Sequence, residues 1–558
     1  MKRKRRRRHH SDRPSGFRSE LSTSLWCYLA NFLTVKTRCE LRKCNRFLFQ
    51  AMQRPAAWKY LHFRNHIPWQ NIRIPFTPWN MYVKGLTHLQ LESARITSLD
   101  FLARAPGLIS LGLNGNLFTD LTPLEHCPNL QSLFIDGCDR VCSLHPLAYC
   151  HKLKWLWAND CPRILSTEPL KHCPDLRCVR LARGTVVYDG SGVSHCARLE
   201  LLSMNCAGLT DWQFLTNGAF GALKRLYLDN LPPCAADFLA LPQLHCLETL
   251  AVNNTKRPGL KFRGSVTLPA LKQLRIHAPR LQDASFLRFC PELEAIKLVC
   301  PCLRGVGVLG LCPRLKSVSL PPDLELDSFA FLSSMHHLEH LSGKLSVSDV
   351  MLLPQPHKLV TLHMDCSGPL KDLIRFQNLK YLTLFNCQAV REWDFLTRMV
   401  RLQSLFVDNV VVSPDASLLS ACMQIRRLGI FYSHTDDLLT AWTKLPNLRE
   451  MLLVRCSQTQ DLSPLEQCPR LECFDMRFGP SRCDVAPLGR CARLKRVTFS
   501  YCQELQNLSA LKACAKLWRL EVRGKSEREG VRRRRKQTCV SLRPRLCFMG
   551  LKCPSPSS

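Results

Sequence analysis

Thirty-one cysteines stand in this 558-residue chain, enough to raise three chemistries: metal ligation, disulfide bonding and thiolate nucleophilicity. Their spacing sorts them. Cys127, Cys150, Cys173 and Cys196 are each 23 residues apart, as are Cys468, Cys491 and Cys514, and Cys138 and Cys161 keep the same interval. Zinc sites need ligands paired closely in sequence, yet no C-x-x-C occurs. The nearest approaches, Cys138 with Cys142 and Cys300 with Cys302, lack a matching second pair. No metal or cofactor site is expected. Disulfides stay open, since strands stacked roughly 4.8 Å apart bring equivalent cysteines of adjacent units towards bonding distance, and the redox compartment decides between thiol and disulfide.

Other catalytic patterns fail on their context. "GVGVLG" from Gly305 to Gly310 satisfies G-x-G-x-x-G, but the next unit begins two residues later and leaves no helix to hold a pyrophosphate. "HHLEH" at 336 to 340 is not H-E-x-x-H, and its histidines read as surface residues. No Walker loop and no G-x-S-x-G occurs. The chain is therefore not expected to be an enzyme, and no catalytic residue is assigned.

The 23-residue interval belongs to a repeat, L-x-x-L-x-I/L-x-x-C, a turn, then L-x-x-L-x-x-C. Its first apolar position falls at Leu86, Leu108, Leu130, Leu153 and Leu176, and continues at intervals of 20 to 24 through Ile425 and Leu448 to Leu494 and Leu517, twenty starts in all. The alternation within L-x-L predicts a short strand with one buried face. This spacing resembles the leucine-rich-repeat family, which implies an α/β solenoid over 86–523 with a parallel sheet on its concave side. In that frame the cysteine after the strand replaces a common asparagine, and the one before the return turn fills a second small apolar position. Both are expected to be buried core thiols.

Function in such an array is written on the exposed strand positions flanking the inner leucines. These hold Phe134, Trp155, Trp157, Arg225, Tyr227, Arg275, Lys297, Tyr381, Phe385, Phe406 and Phe431, residue types that dominate protein interfaces. Phe134 and Trp157 are one unit apart, so their rings are expected side by side at roughly 5 Å, with Trp155 completing a three-ring cluster.

The ends of the chain differ from the array. Residues 1–16 carry eight basic residues and one acidic, and 524–558 carry ten and two, so nearly half of the net charge of +34 lies in two tails. Both tails lack the apolar content to bury a core and read as disordered. The run Lys2, Arg3, Lys4, Arg5, Arg6, Arg7 and Arg8 reads as a nuclear-targeting or nucleic-acid-attracting segment. No signal peptide and no 18-residue apolar run is present, which points to nucleus or cytoplasm, reduced thiols and no membrane span. The sequons at Asn253 and Asn507 are then chance matches.

Between the first tail and the array, Leu21, Leu25, Leu29, Phe32 and Leu33 fall at helical spacing, Leu41, Cys44, Phe47 and Leu48 continue a second amphipathic stretch, and Trp58 and Leu61 close it. Residues 17–66 resemble an F-box, with 67–85 as linker and cap. Ser22 stands where that family has proline, and Phe47 or Leu48 where it has tryptophan. The resemblance implies that Leu21, Leu25, Leu29, Phe32, Leu33, Leu41, Trp58 and Leu61 dock on a Skp-type adaptor, and that the chain is the substrate receptor of a cullin-RING ubiquitin ligase. Alternatives are a helical cap on the first repeat, a nuclear scaffold resembling the leucine-rich phosphatase regulators, whose L-x-P-L recurs here at Leu121 and Leu462, and RNA binding through the tails.

Overall fold

The computed structural model describes residues 60–63, 85–93, 95–209, 213–216, 218–231, 244–254, 268–321, 323–324, 326, 328–366, 368–433, 438–523 and 540–541. The basic run at 2–8 and the adaptor-docking positions Leu21, Leu25, Leu29, Phe32, Leu33, Leu41 and Trp58 lie outside them.

One repeat shows how the pattern becomes structure. The Leu130 N–H donates to the Cys127 carbonyl at 3.1 Å, turning the chain into a three-residue strand, Ser132–Phe134. Leu133 and Ile135 point inward and are fully buried, while Ser132 and Phe134 face outward. Gly137, at φ 71°, then reverses the chain through a backbone region closed to most side chains. Cys138, Val141 and Leu144 enter the core, and a 3₁₀ turn over His145–Tyr149 opens with Pro146 in its first turn, where the missing N–H is not needed. Cys150 caps that turn, its N–H donating to Leu147 at 2.9 Å. Every repeat-opening residue from Leu86 to Leu494 is at most 2% exposed. Leu517, in the last described repeat, is half-buried. Each buried leucine contributes about 2 kcal/mol through removal from water.

The chain divides into two compact units, Met1–Ala235 with Ala240–Leu247, and Ala236–Leu239 with Glu248–Ser558. The first carries a parallel sheet of β1 (Tyr60–Phe63), β2 (His88–Leu91), β3 (Ser110–Gly112), β4 (Ser132–Phe134), β5 (Trp155–Trp157), β6 (Cys178–Val186), β7 (Leu201–Asn205) and β8 (Arg225–Asp229), each paired with the next.

The second unit continues the design. Its strands β9 (Thr249–Asn253), β10 (Gln273–His277), β11 (Ala295–Val299), β12 (Ser317–Ser319), β13 (His340–Ser342) and β14 (Thr361–Asp365) pair in parallel succession. They are followed in the same sheet by β15 (Tyr381–Phe385), β16 (Ser404–Asp408), β17 (Arg427–Phe431), β18 (Glu450–Val454) and β19 (Cys473–Arg477). β20 (Arg482–Asp484) and β22 (Glu504–Gln506) form a small separate pair on the return path, while β21 (Arg496–Ser500) and β23 (Arg519–Arg523) extend the main sheet. The expected leucine-rich-repeat architecture is thus present in both units.

Two boundaries differ from the expectation. Tyr60–Phe63 is a strand in register with His88–Leu91, so Leu61 belongs to the repeat sheet and not to a helical segment, and the sheet starts before Leu86. Tertiary pairing overrides the local helical spacing there. Val540–Ser541 of the C-terminal tail, read as disordered, forms β24 and pairs antiparallel with β23.

The cysteines of the 23-residue series occupy the two core positions expected of them, whereas Cys142, Cys246 and Cys302 are exposed. Asn116 shows the usual solution at the first: its Nδ2 donates to the carbonyls of Leu91 and Leu113, each at 2.7 Å. In the following repeats Cys138 Sγ donates to Leu113 at 3.2 Å and Cys161 Sγ to Ile135 at 3.1 Å, so a thiol replaces the amide. At the second position Cys150, Cys173 and Cys196 point to Leu124, Leu147 and Leu170 of the preceding repeat at 3.7, 3.3 and 3.6 Å. Burial pushes these three thiols up to about 12. All described cysteines are free; Cys366 and Cys387 come closest, sulfur to sulfur at 3.1 Å.

The other sequence patterns resolve into repeat parts. Gly305 takes the left-handed conformation at the start of a 3₁₀ turn with Leu309 in the core, so "GVGVLG" is a return turn. Leu121 and Leu462 are the N-caps of such turns, which makes L-x-P-L a turn signature here. Among the described residues no helix is long and apolar enough to cross a membrane.

Candidate functional site

The open face of each sheet is where side chains are free to act, because the inner face is filled by leucine. All eleven residues expected there lie on strands and point outward. Trp155, Arg225, Arg275, Lys297 and Tyr381 are exposed, and Phe134, Trp157, Tyr227, Phe385, Phe406 and Phe431 are half-buried by their neighbours on the face.

Register decides which of them meet. Phe134 on β4 is opposite Trp157 on β5, and their rings pack edge to face with centroids 4.9 Å apart. Arg180 on β6 is opposite Trp157 in turn, its guanidinium 4.5 Å from the indole centroid. The third member of this cluster is therefore Arg180. Trp155, 38% exposed, stands two residues before Trp157 on β5, between Ser132 and Cys178, and makes no ring contact among the described residues. Burial raises the Cys178 thiol, and the Arg180 guanidinium partly offsets it. Arg225 and Tyr227 share β8 apart from that cluster.

In the second unit Phe406 and Phe431 meet with centroids 6.2 Å apart. Phe406 lies across Gly429, where an added Cβ would come within 2.1 Å of the ring. Arg275 and Lys297 are register partners on β10 and β11, two like charges side by side. On β14, burial pulls the His363 imidazole below its usual range, and His340 adds to the effect.

A second feature escaped the expectation. Tyr432, Arg455, Phe478 and Tyr501 follow one another at 23-residue intervals, immediately after β17, β18, β19 and β21, and all have positive φ, 50° to 58°. The equivalent positions elsewhere with positive φ hold Gly115, Gly137, Asp160, Asn230, Asn386 and Asn409, residues suited to that conformation, together with Ser93 and Arg183. Here the Arg455 guanidinium lies 5.3 Å from both the Tyr432 and Phe478 rings, and Phe478 stacks on Tyr501 at 4.8 Å. A bulky residue in the left-handed region costs about 1 to 2 kcal/mol, and such strain gathers at functional sites. The 23-residue interval was the available signal.

Charges along the strand entries are mostly paired between repeats: Lys224 with Glu200 at 3.3 Å in the first unit, and Lys316 with Glu294 at 2.9 Å in the second. Such exposed pairs contribute little to stability. Their effect is to fix the electrostatic pattern of the face. Among the described residues no three of His, Cys, Asp or Glu come together as a metal site would require.

No family model and no curated protein matches the chain. Among solved structures it is similar to a leucine-rich-repeat protein of Leptospira interrogans, with 13% identity over 78% of this chain and 94% of that one, at a TM-score of 0.37. It is also similar to the functional domain of InlJ from Listeria monocytogenes, which includes a cysteine ladder, with 17% identity over 75% and 74% at 0.35. Likeness to TLR13 in its complex with ssRNA13 is 15% over 78% and 66% at 0.45.

Proposed function

We propose that the chain is a non-catalytic recognition protein whose open sheet face binds a protein partner. The observation that carries this reading is the Phe134–Trp157–Arg180 cluster: three consecutive strands present an aromatic pair capped by a guanidinium, outward and partly exposed. Aromatic and arginine side chains that converge in this way form the anchors of protein interfaces. The basic runs at Lys2–Arg8 and Arg532–Lys536 support a nuclear or cytoplasmic location under this reading.

The F-box-like segment extends the proposal to a substrate receptor of a cullin-RING ubiquitin ligase, with the sheet face holding the substrate. Its support is the helical spacing of Leu21, Leu25, Leu29, Phe32 and Leu33 and the Trp58 position. Because Tyr60–Phe63 is a strand, an adaptor surface on that segment ends before Tyr60, and Leu61 leaves it.

Affinity purification of the full chain from native lysate tests both parts. Co-purification of a Skp-type adaptor and a cullin, abolished by Leu25→Ala with Trp58→Ala, is the expected result. An adaptor that survives the double change, or a preparation with no adaptor, overturns the ligase assignment. Loss of the remaining protein partner on Trp157→Ala supports the face reading, and its retention opposes it.

A further inference from the structure

On the second unit, Tyr381, Gln403, Ser404, Arg426, Arg427, Arg449, Glu450 and Glu472 line a cleft of about 220 Å³ where the strands enter the sheet. Its wall is built by register. Ser404 at the start of β16 lies between Tyr381 on β15 and Arg427 on β17, and Glu450 on β18 follows Arg427. Arg426 and Arg449 stand one residue before their strands. The backbone N–H groups of Arg426 and Arg427 both donate to the Gln403 carbonyl, at 2.9 and 3.0 Å, which fixes where those two arginines leave the chain.

Two groups in this cleft have unused capacity. Ser404 is 1% exposed and its Oγ is buried with no hydrogen-bond partner among the described residues, a state that is unfavourable when left unsatisfied. Arg426 makes no ion pair and no side-chain hydrogen bond among the described residues, whereas Arg427 is held by Glu450 at 3.2 Å and Arg449 reaches Glu472 at 3.8 Å. Glu472 is itself held mainly by Lys495, at 2.6 Å. The lining therefore counts three guanidinium groups against two carboxylates and keeps one uncompensated positive charge beside an orphaned hydroxyl donor.

From this geometry we infer that the cleft is a subsite for one carboxylate, the side chain of an aspartate or glutamate on the bound protein partner. The inference rests on the recognition reading above and names the chemistry of the partner. A carboxylate accepts from the Arg426 guanidinium and from the Ser404 hydroxyl together, and a single negative charge balances the lining. A phosphate dianion would leave it negative. Charge-assisted bonds of this kind are stronger than neutral ones, and a chain carrying +34 draws acidic surfaces towards it.

The test is fluorescence anisotropy of the full chain with three labelled hexapeptides of one otherwise neutral scaffold, carrying one glutamate, one glutamine or one phosphoserine, at physiological salt. The glutamate peptide is expected to bind. Arg426→Gln should weaken it about tenfold and Ser404→Ala about threefold, while Arg398→Gln, which removes an equally basic exposed residue outside the cleft, leaves it unchanged. Equal binding of the glutamine peptide, or equal effects of Arg426→Gln and Arg398→Gln, overturns the subsite. A phosphoserine peptide bound more than tenfold better than glutamate overturns the carboxylate assignment. Failure here is distinguishable from failure of the recognition reading: if the captured partner still depends on Trp157 but not on Arg426, only the subsite falls.

Discussion

The rings of Phe478 and Tyr501, one repeat apart, lie 8° from parallel with centroids 4.8 Å apart, although both backbones sit in the left-handed region at φ 53° and 58°. Two opposing terms meet at each residue. The conformation costs about 1 to 2 kcal/mol for a side chain with a Cβ, and the stack contributes about 0.5 to 1.5 kcal/mol. Phe478→Gly removes both and is expected to change the unfolding free energy by less than about 1 kcal/mol, whereas Phe474→Ala in the core should cost about 3 to 5 kcal/mol. Urea unfolding of the two variants checks this. A loss above about 2 kcal/mol at Phe478 would make the ladder part of the fold and remove it as a candidate surface.

The buried thiols predict an alkaline limit. Cys127 and Cys138 are pushed up to about 11, and Cys150, Cys161, Cys173 and Cys196 to about 12, by burial. A group whose folded value is raised contributes stability that is complete below its unfolded value, here about 9.0, and is lost as pH rises towards the folded value. Between pH 9 and 12 each such thiol steepens the fall by about 1.4 kcal/mol per pH unit. Cys150→Ala with Cys173→Ala should therefore lower stability at pH 7 yet flatten its decline above pH 9, measured by urea midpoints along the pH series. Parallel declines in the variant and the parent would refute the assignment.

The two cysteine positions are expected to answer differently to asparagine. Cys138 occupies the place that Asn116 fills one repeat earlier, with a carbonyl at 3.2 Å already waiting, so Cys138→Asn should cost less than about 1 kcal/mol. Cys150 faces carbonyls only at 3.7 and 3.9 Å within a packed turn, and Cys150→Asn should cost about 3 kcal/mol by overpacking and an unsatisfied amide. Equal thermal shifts in the two variants would mean that the positions are not distinct.

Much of this architecture was legible because the repeat states its own register. A leucine at Leu86 that recurs to Leu494 can only be a core column, and the 23-residue offset of Phe134 and Trp157 by itself implies that their rings lie together. Arg180 was missed because an arginine on a strand reads as solvated until a ring lies beneath it. The ladder at Tyr432 to Tyr501 was missed because it begins one residue past the strand, where glycine or asparagine is expected. The Ser404 cleft carries no pattern at all: a hydroxyl becomes notable only when its neighbours bury it and offer nothing in return. β1 shows the converse limit, since "YLHF" has no signal of its own and is a strand by virtue of pairing with His88–Leu91.

Gly429 sets the position of Phe406. A Cβ there would stand 2.1 Å from the Phe406 ring, so Gly429→Ala must expel the ring and break its contact with Phe431. The expected cost is about 1 to 3 kcal/mol. Adding Phe406→Ala should relieve it, so the double variant is more stable than the sum of the single losses predicts. Additive losses in a thermal-unfolding cycle would show that the glycine is retained for another reason.

The last prediction separates binding from folding at the first-unit cluster. Trp157 touches Phe134 on one side and Arg180 on the other, while Trp155 is exposed beside them without a ring partner. If the face is a recognition surface, Trp155→Ala with Trp157→Ala weakens the captured partner by about 2 to 4 kcal/mol, as anchor truncations do, with little change in melting temperature. Arg180→Lys keeps the charge but loses the flat guanidinium that lies on the indole, so it should reproduce about 1 kcal/mol of that loss. If another segment of the chain covers these rings, the outcome inverts: the double variant melts lower and the partner affinity stays intact. Measuring both quantities on one preparation decides the matter, because a covering segment and a bound partner cannot occupy the same indole face.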